Sequence, residues 1–230
     1  MHFNFMAIAA ATGSMAVNAQ RLHGCAIDQS FRIADFPSTL PAPTAPLSYM
    51  TAAVGTQNYT CTAAGNYTAA GAVAEVFDIS CLVGSPLFST IQDYLLDMWK
   101  EAPADKLNYQ SLVATFAPLE ESGVVLGQHY FIPNPTTGQG LSPVWDFIPR
   151  LKKPEAFVLA ARTGGVPAPT NQTDIDWLSL KSVSGSLATE VYRTDTREGK
   201  APATCTPGSP DIQVPYSSKY YFYGGTIETV

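Results

Sequence analysis

Asp211-Ile-Gln-Val-Pro-Tyr-Ser-Ser-Lys-Tyr-Tyr-Phe-Tyr-Gly224 is built almost wholly from β-branched, aromatic and small polar residues, the composition of a pleated strand. A period of two puts Tyr216, Ser218, Tyr220 and Phe222 on one face and Ser217, Lys219, Tyr221 and Tyr223 on the other. At least half of such a strand must face a core, so only Tyr221 with Tyr223, or only Tyr220 with Phe222, could be exposed together. Sheet partners are plentiful. LSYMTAAVGTQNYTCTA (47–63) and AVAEVFDISCL (72–82) flank the turn-like GNYTAAG and read as a hairpin. SGVVLGQHYFI (122–132), EAFVLAAR (155–162), DIDWLSLKSV (174–183) and SLATEVYRT (186–194) read as further strands.

One segment breaks the pattern. From Ser85 to Trp99, apolar residues fall at 87, 88, 91, 94, 95, 98 and 99, a helical stripe with Ser85 as N-cap and Pro86 in the first position. The stripe suits packing against a sheet. Loops dense in glycine and proline separate the strands: NPTTGQGLSP, TGGVPAPTNQTD and GKAPATCTPGSP. The expected fold is mainly β, a β-sandwich or partly closed β-barrel with one short amphipathic helix and long Gly/Pro-rich loops. Residues 1–19 read as a signal peptide, 20–46 as a proline-rich arm lying over the body, and 47–230 as one β-rich domain.

The signal reading rests on an apolar run from Phe5 to Val17 that ends in the small-residue pattern Val17-Asn18-Ala19. The run is shorter than the roughly 20 residues a membrane-spanning helix needs. Cys25, Cys61, Cys81 and Cys205 form an even set, which in an exported chain means two disulfides in one of three connectivities. A zinc site is the competing use, but there is no C-x-x-C pair, and only His23 and His129 lie beyond the signal segment. Asn58, Asn66 and Asn171 head glycosylation sequons. With 13 Lys and Arg against 19 Asp and Glu, the net charge of −6 argues against a nucleic-acid partner.

Taken in order, GTQNYTC, GQHYF, DWLSLKSVSG, EVYRTDT with APATC, and VPYSSKYYFYG resemble the fungal secreted branch of the family known as domain of unknown function 3455. The resemblance runs from about Cys25 to Tyr223. It implies an exported fungal protein with four cysteines of the family type, and it implies no reaction, since the family has no established activity. Members often carry a malate dehydrogenase label. A dinucleotide site of that kind needs G-x-G-x-x-G between a strand and a helix. Here Gly138-Gln-Gly140 and Gly164-Gly165 lie among prolines and lead into no amphipathic helix, so no cofactor is expected.

His129 is the titratable residue with the clearest chemical potential, because imidazole changes charge near neutral pH. Were its strand beside Pro143-Val-Trp-Asp146, Asp146 could orient the ring as base and orienter. The competing role is a hydrogen-bonded histidine beneath an aromatic cluster, which is the commoner fate of a lone buried histidine. No G-x-S-x-G or H-E-x-x-H occurs, and glycosidase-type pairs among Glu120, Glu121, Asp174 and Asp176 would depend on their separation. Aromatic residues offer a binding surface instead, with Tyr221, Tyr223 and Trp145 as candidates. Two functions follow. One is an extracellular binding protein for a wall, a host surface or a small apolar ligand; the other is a secreted hydrolase or isomerase working through His129 and Asp146.

Overall fold

A computed structural model describes residues 24–102, 107–120, 122–170 and 172–227. The signal segment, His23, Glu121 and Asn171 lie outside the described residues.

Eight strands run in chain order: β1 (Leu47–Cys61), β2 (Tyr67–Asp78), β3 (Val125–Pro133), β4 (Leu141–Asp146), β5 (Phe157–Val166), β6 (Trp177–Ser184), β7 (Glu190–Glu198) and β8 (Ile212–Tyr223). Each pairs antiparallel with the next, and β8 returns to β1, so the sheet closes into an eight-stranded barrel. Closure removes the exposed edge amides that an open sheet would have to protect. The β1–β8 ladder runs from Leu47 opposite Tyr223 to Tyr59 opposite Ile212. The fold is thus a fully closed barrel, where the sequence left open a sandwich or a partly closed one.

The barrel interior is filled by matching large rings to small residues. Tyr216, Tyr220 and Phe222 of β8 point inward with Trp145 and Tyr49, against Ala53, Ala72, Ala74 and Ala160. Alternate residues of the same strands point outward into a second core. Met50, Ala52, Val54, Phe77, Tyr192, Tyr221 and Tyr223 are covered there by helix α1 (Pro86–Lys100) and helix α2 (Tyr109–Glu120). The expected stripe holds: Ile91, Leu95, Leu96 and Trp99 of α1 are buried against the barrel wall. Trp99 also donates its indole N–H to Ser111 Oγ at 3.1 Å, tying α1 to α2. Ser85 occupies the N-cap, but its hydroxyl donates back to the Leu82 carbonyl, leaving the helix amides uncapped by a side chain.

The N-terminal arm closes the outer core. Ile33 and Leu40 are buried, Gln29 exchanges hydrogen bonds with the Leu47 backbone, and the Thr44 amide and hydroxyl both donate to Glu190. All four cysteines are oxidised. Cys25–Cys81 pins the arm to the 3-10 turn at Ser80–Leu82, and Cys61–Cys205 joins the end of β1 to the loop before β8. No helix among the described residues is long and apolar enough to cross a membrane.

Gly127 shows how tightly β3 and β4 approach. Its φ is 156°, and a Cβ there would lie 1.9 Å from the Asp146 carbonyl oxygen and 2.9 Å from its carbon. Both atoms are backbone, so neither can swing away. We expect Gly127→Ala to destabilise the barrel by about 3 kcal/mol. A urea unfolding curve displaced by less than about 0.5 kcal/mol, the ordinary surface scatter, would show that β3 and β4 part without cost.

Candidate functional site

The shortest ladder in the barrel is that of β4 and β5. Their ladder holds only Val144–Leu159, Trp145–Val158 and Asp146–Phe157. Beyond it, Leu141, Ser142 and Pro143 pair only with β3, while Ala160, Ala161 and Arg162 pair only with β6. Proline 143 has no N–H to continue the ladder. The two strands part there, and all six residues line a cavity of about 270 Å³ in that end of the barrel.

The walls are mostly apolar: Phe131, Trp145, Ala160, Leu178, Leu180 and the ring of Tyr220. An eight-stranded barrel is just wide enough to be filled by its own side chains or to hold one small ligand. Here side chains fill much of the interior, and a cavity remains at one end. Trp145 is 1 % exposed, meets Tyr220 edge-on at 5.1 Å and stacks on His129 at 4.3 Å and 10°. Its indole N–H has no acceptor among the described residues.

His129 is likewise buried. Its Nδ1 lies 2.8 Å from the Val144 carbonyl oxygen, and since a carbonyl can only accept, Nδ1 must carry the proton. Nε2 is then the acceptor of a neutral ring. Burial drives the pKa down to about 3, with the hydrogen bond to Val144 working against this and the nearby Arg193 charge adding to it. The ring therefore stays neutral across the physiological range, in the hydrogen-bonded role beneath an aromatic cluster.

Asp146 does not join it. The register sets His129 opposite Trp145 and Gln128 opposite Asp146, so the carboxylate falls on the outer face. There Asp146 accepts from Tyr130 Oη at 3.2 Å and from the Ile148 amide at 2.9 Å, where a short helix, α3 (Ile148–Leu151), begins. The expected dyad is thus absent because the two residues differ in parity across the β3–β4 ladder.

The aromatic candidates separate in the same way. Trp145 lines the cavity, but Tyr221 and Tyr223 are 2 % and 6 % exposed. Tyr221 stacks on Phe31 of the arm, and Tyr223 meets Tyr192 edge-on. Alternation left either face of β8 free to be exposed; the arm and α1 cover the one that carries Tyr221 and Tyr223. Of the carboxylates, Asp174 accepts from Thr170 Oγ1 and the Glu198 amide, which holds the β5–β6 loop. Asp176 lies 3.9 Å from both Arg162 and Lys200. Of the sequons, Asn66 is exposed in the β1–β2 turn, whereas Asn58 is half-buried.

The residue that sequence reasoning missed is Arg193. It sits in β7 between Leu178 of β6 and Tyr220 of β8, lines the cavity and is only 9 % exposed. Its Nε and Nη2 donate to the Asp176 backbone carbonyl at 3.1 and 2.9 Å. The signal was legible in EVYRTDT: a period of two puts Arg193 on the inward face with Val191.

Fold and site together define a disulfide-stapled, closed antiparallel barrel with a small cavity lined by the unpaired ends of β4 and β5. The chain belongs to the family described as "Protein of unknown function (DUF3455)", whose model matches residues 41–224. No curated protein and no solved structure matches it.

Proposed function

We propose that this is a secreted binding protein of the fungal extracellular branch of its family, which holds one small, largely apolar molecule inside the barrel. The cavity of about 270 Å³ carries this reading. It lies just below the roughly 300–1,000 Å³ of pockets for drug-sized ligands, so the occupant is a compact molecule of one ring or a short branched chain. The parted β4 and β5 strands give it a way in. Two disulfides support residence in an oxidising compartment, and exposed Asn66 in its turn suits a glycan, with Asn58 and Asn171 as further acceptors.

A binding role fits these walls better than catalysis. His129 stays neutral and has no carboxylate to orient it, while stacked and edge-on rings offer flat apolar surfaces to a planar ligand.

Naphthol, a neutral fluorescent ring compound, tests this directly. Titrated into the secreted protein, it should saturate one site and gain emission on leaving water. Ala160→Phe fills the cavity from β5 and should weaken that binding by about tenfold or more, the equivalent of about 1.4 kcal/mol. A urea curve for the same variant checks that the barrel still folds. Saturable binding untouched by Ala160→Phe, or none at all, would remove the cavity from the account.

A further inference from the structure

Building on the binding role just proposed, we infer that the ligand carries a carboxylate and that Arg193 receives it inside the barrel.

The argument begins with an imbalance. A guanidinium has five N–H donors and a permanent positive charge. Arg193 spends donors from Nε and Nη2 on a single backbone carbonyl, and Nη1 makes no hydrogen bond with the described residues. None of the salt bridges among those residues includes it. Buried charges are ordinarily paired, because taking an ion from water is costly unless a counter-charge and hydrogen bonds replace the solvent. Here the charge is nine-tenths buried in the wall of a cavity, and no carboxylate among the described residues forms a salt bridge with it.

A second unpartnered donor lines the same cavity. The Trp145 indole N–H is buried and has no acceptor among the described residues. Two residues with a donor to spare line one cavity, which favours an acceptor-rich guest, and a carboxylate offers about four lone-pair sites and no hydrogen to compete with them. Charge selects further. One guanidinium lies within, Arg162 stands at the rim already near Asp176, and His129 adds no charge. A monoanion balances that arrangement, whereas a phosphate monoester near −2 would leave charge uncompensated in an apolar space. With rings forming much of the wall, the class is a small aryl or short branched carboxylic acid.

The test uses cinnamate and its neutral amide, cinnamamide, by calorimetry on the full secreted protein at pH 7. Cinnamate should bind about tenfold or more tightly than the amide, since hydrogen bonds between charged groups are stronger than those to a neutral one. Arg193→Gln should erase that preference while leaving cinnamamide within about threefold, a small shift on the same scale. An unfolded variant leaves the wild-type protein to decide, through the pH profile of the cinnamate-to-cinnamamide ratio. The groups facing Arg193 are His129, Tyr59, Tyr216, Tyr220, Arg162 and Asp176. His129 is neutral above about pH 3, and burial holds Tyr59 and Tyr216 protonated.

The ratio should fall as pH drops through the carboxylic acid range near 4. Equal affinities at pH 7, a flat ratio, or a preference that survives Arg193→Gln would each overturn the assignment. If naphthol binds while neither cinnamyl compound does, the carboxylate inference fails and the apolar cavity stands. If naphthol also fails, the binding reading falls with it.

Discussion

Replacing Cys61 and Cys205 together by alanine lowers the free energy of unfolding by about 5 kcal/mol, on the chain-entropy scale for a crosslink of this span. The two cysteines are 144 residues apart in sequence, so without the bridge the unfolded chain regains the freedom of a very long loop. The 56-residue separation of Cys25 and Cys81 predicts a smaller loss of about 4 kcal/mol for the matching pair. Position adds to the ordering. The Cys61–Cys205 bridge holds the β7–β8 loop against the β1–β2 turn, where the Cys205 amide donates to the Gly65 carbonyl at 2.9 Å. The Cys25–Cys81 bridge holds the arm, which Gln29 and Thr44 also secure. Urea denaturation of the two double variants measures both. A loss below about 1 kcal/mol for Cys61 and Cys205, well under the usual 2–5 kcal/mol for a native bridge, would show that closure of the barrel already restrains the ends.

Acid weakens the fold through His129. Above about pH 6.5, the imidazole is neutral in both the folded and the unfolded chain, and burial costs it nothing. As pH falls below that value, the unfolded chain takes up a proton that the folded ring refuses until about pH 3. Stability contributed by this site is therefore fully present above pH 6.5 and drains between 6.5 and 3, at up to about 1.4 kcal/mol per pH unit. The whole loss is on the order of 4 kcal/mol. Carboxylates also respond in this range, so the comparison is with His129→Gln, which keeps an amide donor for the Val144 carbonyl but cannot titrate. Thermal or urea unfolding of both proteins from pH 7 to 3.5 should show the variant with the shallower slope. Identical slopes would mean that water reaches the ring and lets it charge in place.

Much of the architecture was readable because its periods are clean. The hairpin of β1 and β2, strands β3 and β5 to β8, and the stripe of α1 all carry side chains that alternate or recur as their burial demands. β4 was hidden by Pro143 and the glycines that lead into it, the same features that let it part from β5. Helix α2 was hidden for another reason. It buries Leu112 and Phe116, one turn apart, and carries Pro118 inside, so it lacks the long stripe that marked α1. Closure could not be read from strands alone, since sandwich and barrel share the same alternation; it depends on the β1–β8 register.

The site was legible only in part, and parity explains why. Trp145 was named and does line the cavity. Asp146, one residue on, faces the other way, which separates it from His129. Tyr221 and Tyr223 lie on the face that α1 and the arm cover, and that depends on how distant segments dock. Arg193 was the inverse case: its inward position followed from alternation, but a charge in an inward row conflicts with the usual reading of such a row. Local rules tend to break where function resides, and this conflict marks the place.

The carboxylate assignment stands or falls on whether a small carboxylic acid enters the barrel between β4 and β5. Carbon-13 methyl NMR of the protein titrated with cinnamate reads this most directly. The methyl signals of Ala160, Leu178 and Leu180 should shift together and saturate, while those of Leu95 and Leu96 beneath α1 stay in place. Unmoved signals from the cavity residues, or shifts confined to the outer core, would contradict it.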